Sequence, residues 1–234
     1  MSQTPGEAPG VHLGMIGGIG PGATVFYYEH LTQAFAAAGQ TLHLTIGHTS
    51  ALMLSRNVAG GHAQAQAAEF NRIGVQLAAA GAEAIVIASM GGHFCAREFA
   101  AMSALPIIDG PTAVAQALRQ RGISKVGLLG TRVVMETDLY GALSDLHPIA
   151  PKGPQLAQVN DDYVAVAIAG TALPEEGRRL IAAGTQLVED YGAEAVLLGG
   201  TDLNLVYADA NLNFPVIDSA LLHVEAVVAA ALSG

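Results

Sequence analysis

The sequence predicts an α/β protein built as two similar parallel-sheet half-domains, related by pseudo-twofold symmetry, with a cleft between them. Continuous apolar runs end in Gly, Ser, Thr or Asp and are followed by stretches of helical period, the pattern of strands buried on both faces of a parallel sheet. The runs also repeat in order: "VHLGMIGG" pairs with "KVGLLGT", "GAEAIVIAS" with "GAEAVLLGG", and "LPIIDG" with "FPVIDS". All three pairs share an offset of about 110 residues, a period that means duplicated half-domains and not a solenoid. At 234 residues and 51% hydrophobic content, the chain can bury one large core or two small ones.

Eight strands are expected, over residues 12–16, 42–46, 84–88, 105–108, 126–129, 155–159, 195–198 and 215–217. Between them, "PGATVFYYEHLTQAFAAAG" opens on Pro21 and closes on Gly39, and "EEGRRLIAAGTQLVEDYG" ends on Gly192, which are helix start and stop signals. The first half-domain is placed over 11–112 plus 216–234, because the apolar C-terminal helix is expected to pack back on it. The second covers 113–215, and 1–10, rich in Pro and Gly, reads as a flexible tail.

Composition narrows the function classes. A net charge of -10 without a basic cluster argues against a nucleic-acid partner, and no apolar stretch is long enough to span a bilayer. No secretory leader pattern opens the chain, and the single cysteine, Cys95, allows neither an internal disulfide nor a cysteine zinc cage. A cytoplasmic protein is the expectation. Charged residues make up only 13% of the chain, against about 25% in a typical soluble domain, so a homodimer or higher homo-oligomer is expected to cover part of the surface.

In parallel α/β sheets ligands bind beyond the carboxyl ends of the strands, here in the cleft where two sets of strand tips face each other. The first tip, "GGIGPGAT", places Gly18 and Gly20 before a helix, where backbone amides favour a carboxylate. It is not a dinucleotide fingerprint, because the spacing is G-x-G-x-G and the next strand ends in "GHTS" without a ribose-binding acid. The second tip carries His48 and, further on, Arg56, whose guanidinium fork suits a carboxylate. The third carries Ser89, Met90, Gly91 and His93; the third tip of the second half carries Gly200, Thr201 and Asp202. Ser89 and Asp202 are also ordinary helix-capping residues, and His93 and Cys95 also fit as packed core side chains.

These motifs resemble the aspartate/glutamate/hydantoin racemase superfamily, most closely its aspartate racemase branch. "GMIGGIGPGAT" is similar to the family opening G-x-x-G-G-M-G-P-x-A-T. "GAEAIVIASMGGH" stands where the family has G-A-D-x-I-x-I-P-C-N-T-x-H, and "GAEAVLLGGTDL" where it has G-A-x-x-V-I-L-G-C-T-E-L. The resemblance implies cofactor-independent proton transfer at the α-carbon, with one cysteine on each face of the substrate. Here those two positions are Ser89 and Gly200, and a basic residue of a family Gly-Lys pair aligns with Gly170–Thr171.

A serine hydroxyl is far less acidic than a thiol and glycine has no side chain, so the two-thiol mechanism has no carriers. The leading expectation is therefore a racemase, isomerase or lyase on a small carboxylate or amino-acid-like substrate. In it His48, Ser89, His93 and Asp202 handle protons, while Gly18, Gly20, Arg56, Met90, Gly91, Gly200 and Thr201 line the substrate. No cofactor and no metal are expected, and the missing side chain at Gly200 is expected to enlarge the pocket. Two alternatives are a catalytically inactive carboxylate-binding protein and a hydrolase using Ser89 as nucleophile or a metal held by His48, His93 and Asp202.

Overall fold

In the computed structural model, which describes residues 10–208 and 210–233, two parallel sheets stand side by side and helices cover their faces. The first sheet has strands β1 (Leu13–Gly17), β2 (Leu44–His48), β3 (Ala84–Ile87) and β4 (Ile107–Ile108) in the order β2-β1-β3-β4. The second has β5 (Val126–Leu129), β6 (Ala195–Leu198) and β7 (Val216–Asp218) in the order β5-β6-β7. The tail expected over 1–10 lies outside the described residues except for Gly10.

Each half is held by strand alternation. Leu13 and Met15 of β1, with Ala84 and Val86 of β3, pack under helix α1 (Pro21–Ala37) through Tyr27, Leu31 and Phe35. Ile16, Ile85 and Ile87 point the other way, onto helix α3 (Ala63–Ala79) through Phe70, Ile73 and Leu77. Helix α2 (Ala51–Gly60) precedes α3 and is capped by the Ser50 hydroxyl, which accepts from Met53 N at 3.3 Å. A 3-10 turn, Gly91–Cys95, and the short α4 (Ala96–Ala100) follow β3.

The crossings between halves are reciprocal. Helix α5 (Gly110–Gln120) follows β4 of the first sheet but buries Val114, Ala115 and Leu118 in the second half's core. Helix α10 (Ser219–Leu232) follows β7 of the second sheet and buries Ala220, Val224, Val227 and Ala231 in the first half's core. Since β7 pairs with β6, the return to the first half begins at Ser219, three residues later than the expected boundary at 216.

One expected strand is a helix. Residues 155–159 lie in α7 (Gly153–Ala169), where Leu156, Val159, Tyr163 and Val166 are buried at helical spacing, Pro154 starts the helix and Gly170 ends it at φ 67°. The place beside β5 is taken by a single residue, Ile149, which bridges to Gly127. Helix α6 (Arg132–Glu136) follows β5. Helix α8 (Pro174–Glu189) precedes β6, and a 3-10 turn Thr201–Leu203 and α9 (Asn204–Tyr207) follow it. No described helix is long and apolar enough to cross a membrane.

Candidate functional site

The carboxyl ends of both sheets meet across the cleft. On the first side, the turn after β1 is shaped by its own helix: Gly18 N donates to Thr24 Oγ1 at 2.9 Å, and that hydroxyl donates to Gly20 O at 3.2 Å. Gly18 and Gly20 adopt φ 80° and 128°, conformations that favour glycine. A Cβ on Gly18 would also overlap the His48 ring and the Thr49 carbonyl. His48 is therefore exposed at the tip of β2 and lies over Gly18, while Arg56 is exposed on the second turn of α2.

From the second side comes Asp202. Its Oδ1 lies 3.2 Å from the position of a Cβ on Gly22, in the first turn of α1. The carboxyl group of one half thus reaches the helix N-terminus of the other. Burial raises its pKa from the ordinary carboxyl value. Thr201 beside it is buried.

The Ser89 tip is not arranged as a nucleophile with a base. Ser89 is half-buried, and its hydroxyl accepts from Gly92 N at 3.3 Å, the capping role. His93 is buried with both ring nitrogens engaged: Nδ1 donates to Ser89 O at 2.8 Å and Nε2 accepts from Gly110 N at 3.1 Å. Those two bonds set its tautomer, and burial lowers its pKa, so it packs as a neutral imidazole. His93 accordingly tethers the β3 tip to the start of α5, and the expected proton-moving role has no free ring nitrogen to serve it. His48, His93 and Asp202 do not gather as a ligand set, and no group of three His, Cys, Asp or Glu among the described residues is placed to hold a metal.

Met90 is buried in the second half's core cluster and does not line an opening. Gly91 remains at the cleft, where its carbonyl accepts from the Tyr140 hydroxyl at 3.3 Å across the two halves. Tyr140 is held there by a left-handed turn: Asp138, Leu139, Tyr140 and Gly141 have φ of 52°, 54°, 58° and 81°. Such φ values cost roughly 1–2 kcal/mol for each non-glycine residue. Fully buried Leu139 and Leu143 anchor the turn, and Tyr140 N donates to Thr137 Oγ1 at 3.0 Å.

The space at Gly200 is filled. The Tyr163 hydroxyl stands where a Cβ on Gly200 would be, with ring Cε2 2.9 Å from that position. Gly200 is extended at φ -162°, a conformation open to any residue, so the tyrosine and not the backbone excludes a side chain. The expected enlargement of the pocket is thus reversed. Beside Tyr163 on α7, buried Asp162 ties that helix to α8, accepting from Arg179 Nε at 2.8 Å and Nη2 at 2.5 Å. Burial raises the Tyr163 pKa, and Asp202, Tyr140 and Asp218 raise it further, keeping a neutral phenol.

Tyr163, Tyr140 and Asp218 join the site without being among the residues expected from the sequence. Asp218 ends β7 and caps α10, its Oδ1 accepting from Ala220 N at 2.7 Å; it is buried and its Oδ2 has no partner. Burial pushes its pKa up to about 6. Asp218 closes the repeated "PVID" segment at a strand tip, a position that could have singled it out. Tyr163 had no comparable signal, because it lies beyond the run read as a strand.

Behind the tips runs a buried aromatic and imidazole chain. Tyr27 Oη donates to His223 Nδ1 at 2.8 Å and His223 Nε2 donates to Ile108 O at 2.8 Å, so His223 is neutral. Burial first, and then neighbouring His93, push its pKa down to about 3. Cys95 is also fully buried, its Sγ donating to Gly92 O at 3.5 Å, and burial pushes its thiol up to about 12.

The same architecture occurs in known proteins. A provisionally assigned Asp/Glu racemase from Yersinia pestis superposes with a TM-score of 0.84 at 28% identity, over 95% of this chain and 99% of that one. An aspartate racemase homologue from Pyrococcus horikoshii OT3 gives 0.78 at 25% identity, over 94% and 99%. The fold is shared too by the Picrophilus torridus aspartate racemase, at 0.75 and 21% identity, over 94% of each chain. The Asp/Glu/hydantoin racemase family model matches residues 16–227, taking in every strand tip of the cleft and both sheets apart from Leu13–Met15 of β1, and so the chain belongs to the Asp/Glu/hydantoin racemase family.

Proposed function

We propose that the protein is a cofactor-independent isomerase or lyase that moves a proton at the α-carbon of a small carboxylate or amino-acid-like substrate, without thiols. The observation that carries this reading is Asp202. Its carboxyl group projects from the second half to the first turn of α1 in the first, and its raised pKa brings it nearer neutral pH than an ordinary aspartate. Ser89 follows β3, the exposed His48 ends β2 and the exposed Arg56 lies on α2; we assign all three to the first half's side of the site. Membership of a racemase family supports the reaction class.

Incubation of the protein in heavy water with both enantiomers of aspartate, glutamate and alanine, and with small 2-substituted acids, tests this. Deuterium at the α-carbon, inversion or loss of carbon dioxide is expected, and is expected to fall at least 100-fold in D202N. A panel without any isotope uptake, inversion or decarboxylation would overturn the reading. A binding protein is then the alternative, favoured by one feature: the Ser89 hydroxyl is a cap for Gly92 N and is not arranged with a base. Ligand-induced melting shifts without turnover would support it.

We place the protein in the cytoplasm as a homodimer. Support comes from apolar side chains left exposed on and around the edge strand β2: Ile46, with Leu52 and Met53 of α2 and Val25 and Tyr28 of α1. Sedimentation of the full chain at micromolar concentration is expected to give a dimer mass.

A further inference from the structure

Among the described residues the chain passes between the two halves twice, and the two passages grip each other. The first is Ile108–Asp109–Gly110, which leaves β4 of the first sheet and enters α5 in the core of the second half. The second is Asp218–Ser219, which leaves β7 and enters α10 in the core of the first half; Ser219 Oγ fastens it to Leu198 O at 2.6 Å. One turn into α10, His223 Nε2 donates to Ile108 O at 2.8 Å, while His93, in the turn after Ser89, accepts from Gly110 N at 3.1 Å. Two imidazoles from different elements thus clamp the first passage at both ends.

The clamp closes around a residue without a side chain. A Cβ on Gly110 would lie 2.6 Å from Met90 Cε, 3.0 Å from His223 Nδ1 and 3.1 Å from His93 Cε1. The two rings stand 5.5 Å apart in a T-shaped arrangement, both buried, and the Tyr27 hydroxyl donates to His223 Nδ1 at 2.8 Å. Every ring nitrogen therefore has a partner, and the pattern needs neutral rings of opposite tautomer, with hydrogen on Nδ1 in His93 and on Nε2 in His223. A proton breaks this pattern at a defined place. Added at His93 Nε2 it sets one N–H against the Gly110 N–H, and added at His223 Nδ1 it opposes the Tyr27 hydroxyl hydrogen. Rings so close in an apolar interior do not both charge, so the pair takes up one proton. Few charges surround it. Asp109, the N-cap of α5, favours the charged form of either ring; Tyr27 of α1 is a neutral phenol, His30 of α1 and Asp218 of β7 act on each other, and the Arg121–Glu225 pair between α5 and α10 is exposed.

We propose that His93 and His223 lock a hinge between the two halves: uptake of one proton releases the Ile108–Gly110 linker, and the halves swing apart while each keeps its own sheet. Separate sheets permit such a motion, because the strands of each pair only among themselves. The Ser89 turn moves with the release, since His93 Nδ1 donates to Ser89 O at 2.8 Å. The hinge is independent of which reaction the cleft carries out.

Hydrogen exchange of the full chain, read by mass spectrometry and corrected for the pH dependence of unhindered exchange, tests the lock. Segments 88–95 and 108–115 are expected to exchange about tenfold or more faster at about pH 4.5 than at about pH 7.5, while β1, β3, β5 and β6 stay protected and far-UV circular dichroism is unchanged. The double variant H93Q/H223Q keeps an acceptor for Gly110 N and a donor to Ile108 O but cannot titrate, and is expected to lose this acceleration. A second measurement needs no variant: long-range proton–nitrogen spectra of the native protein at about pH 7.5 are expected to show Nδ1–H for His93 and Nε2–H for His223. The same tautomer in both rings, acceleration spread evenly through the sheets, acceleration that survives in H93Q/H223Q, or no acceleration before the whole fold is lost would overturn the lock.

Discussion

Gly200 is glycine because of Tyr163: the phenol occupies the volume into which any side chain at 200 would project, although the backbone there is extended and unstrained. Overpacking of this kind costs about 1–3 kcal/mol. G200A and G200C are therefore expected to lose that much stability in urea denaturation. In a double-mutant cycle, the cost of G200A is expected to shrink markedly in a Y163A background, giving a coupling of about 1 kcal/mol or more. Additive effects would show that the two positions are independent.

His223 and His93 set the acid limit of the fold. Both are buried and neutral, with pKa values lowered, to about 3 for His223. In the unfolded chain a histidine titrates near 6.5. A group whose folded pKa is depressed in this way contributes stability above pH 6.5, and the contribution is lost as pH falls from there toward 3. Denaturation midpoints are expected to fall steadily between pH 7 and pH 4. H223F, which cannot take up a proton, is expected to be less stable at pH 7 but to show a shallower fall.

Asp218 has the opposite sign. Its folded pKa is raised to about 6 against an ordinary value near 3.9, so the protonated acid is favoured in the fold. Its contribution is present below pH 3.9 and lost as pH rises through 6. Relative to the native protein, D218N is therefore expected to gain stability between pH 4 and pH 8, by as much as about 3 kcal/mol. Urea midpoints of the two proteins at both pH values measure the difference.

Cys95 is inert in the folded state. It is fully buried and its thiol is pushed up to about 12, so little thiolate forms at neutral pH. Reaction with a thiol reagent at pH 8 is expected to be slow in the native protein, at least 100-fold slower than in urea. C95S is expected to retain any isotope exchange of the native protein; loss of exchange with an intact fold would make the thiol part of the chemistry.

Much of the architecture was legible because it is written in local patterns. The runs at β1, β3, β5 and β6, the repeated "GAEA" lead-ins and the Gly-rich turn after β1 each combine a strand period with a turn signal. Residues 155–159 misled because "QLAQV" is a short run with three apolar residues in five, too brief to show a period, and its helical spacing emerges only when Tyr163 and Val166 are counted with it. His93 and Ser89 were legible as tip residues but not in their roles. A histidine at a strand end reads the same whether its ring faces a ligand or, as here, joins Ser89 O to Gly110 N.

By itself, the sequence determined the duplicated α/β plan and the placing of Ser89 and Gly200 at matching strand tips of the two halves, since each depends on residue type and spacing along the chain. Only the tertiary structure decided what stands against Gly200, which histidines are committed to the fold, and that Asp202 of one half reaches Gly22 of the other. Those are contacts between residues far apart in sequence: Tyr163 reaches Gly200 from a different helix, and His223 reaches Tyr27 across 196 positions. Such contacts follow from packing two halves against each other, and no local period encodes them.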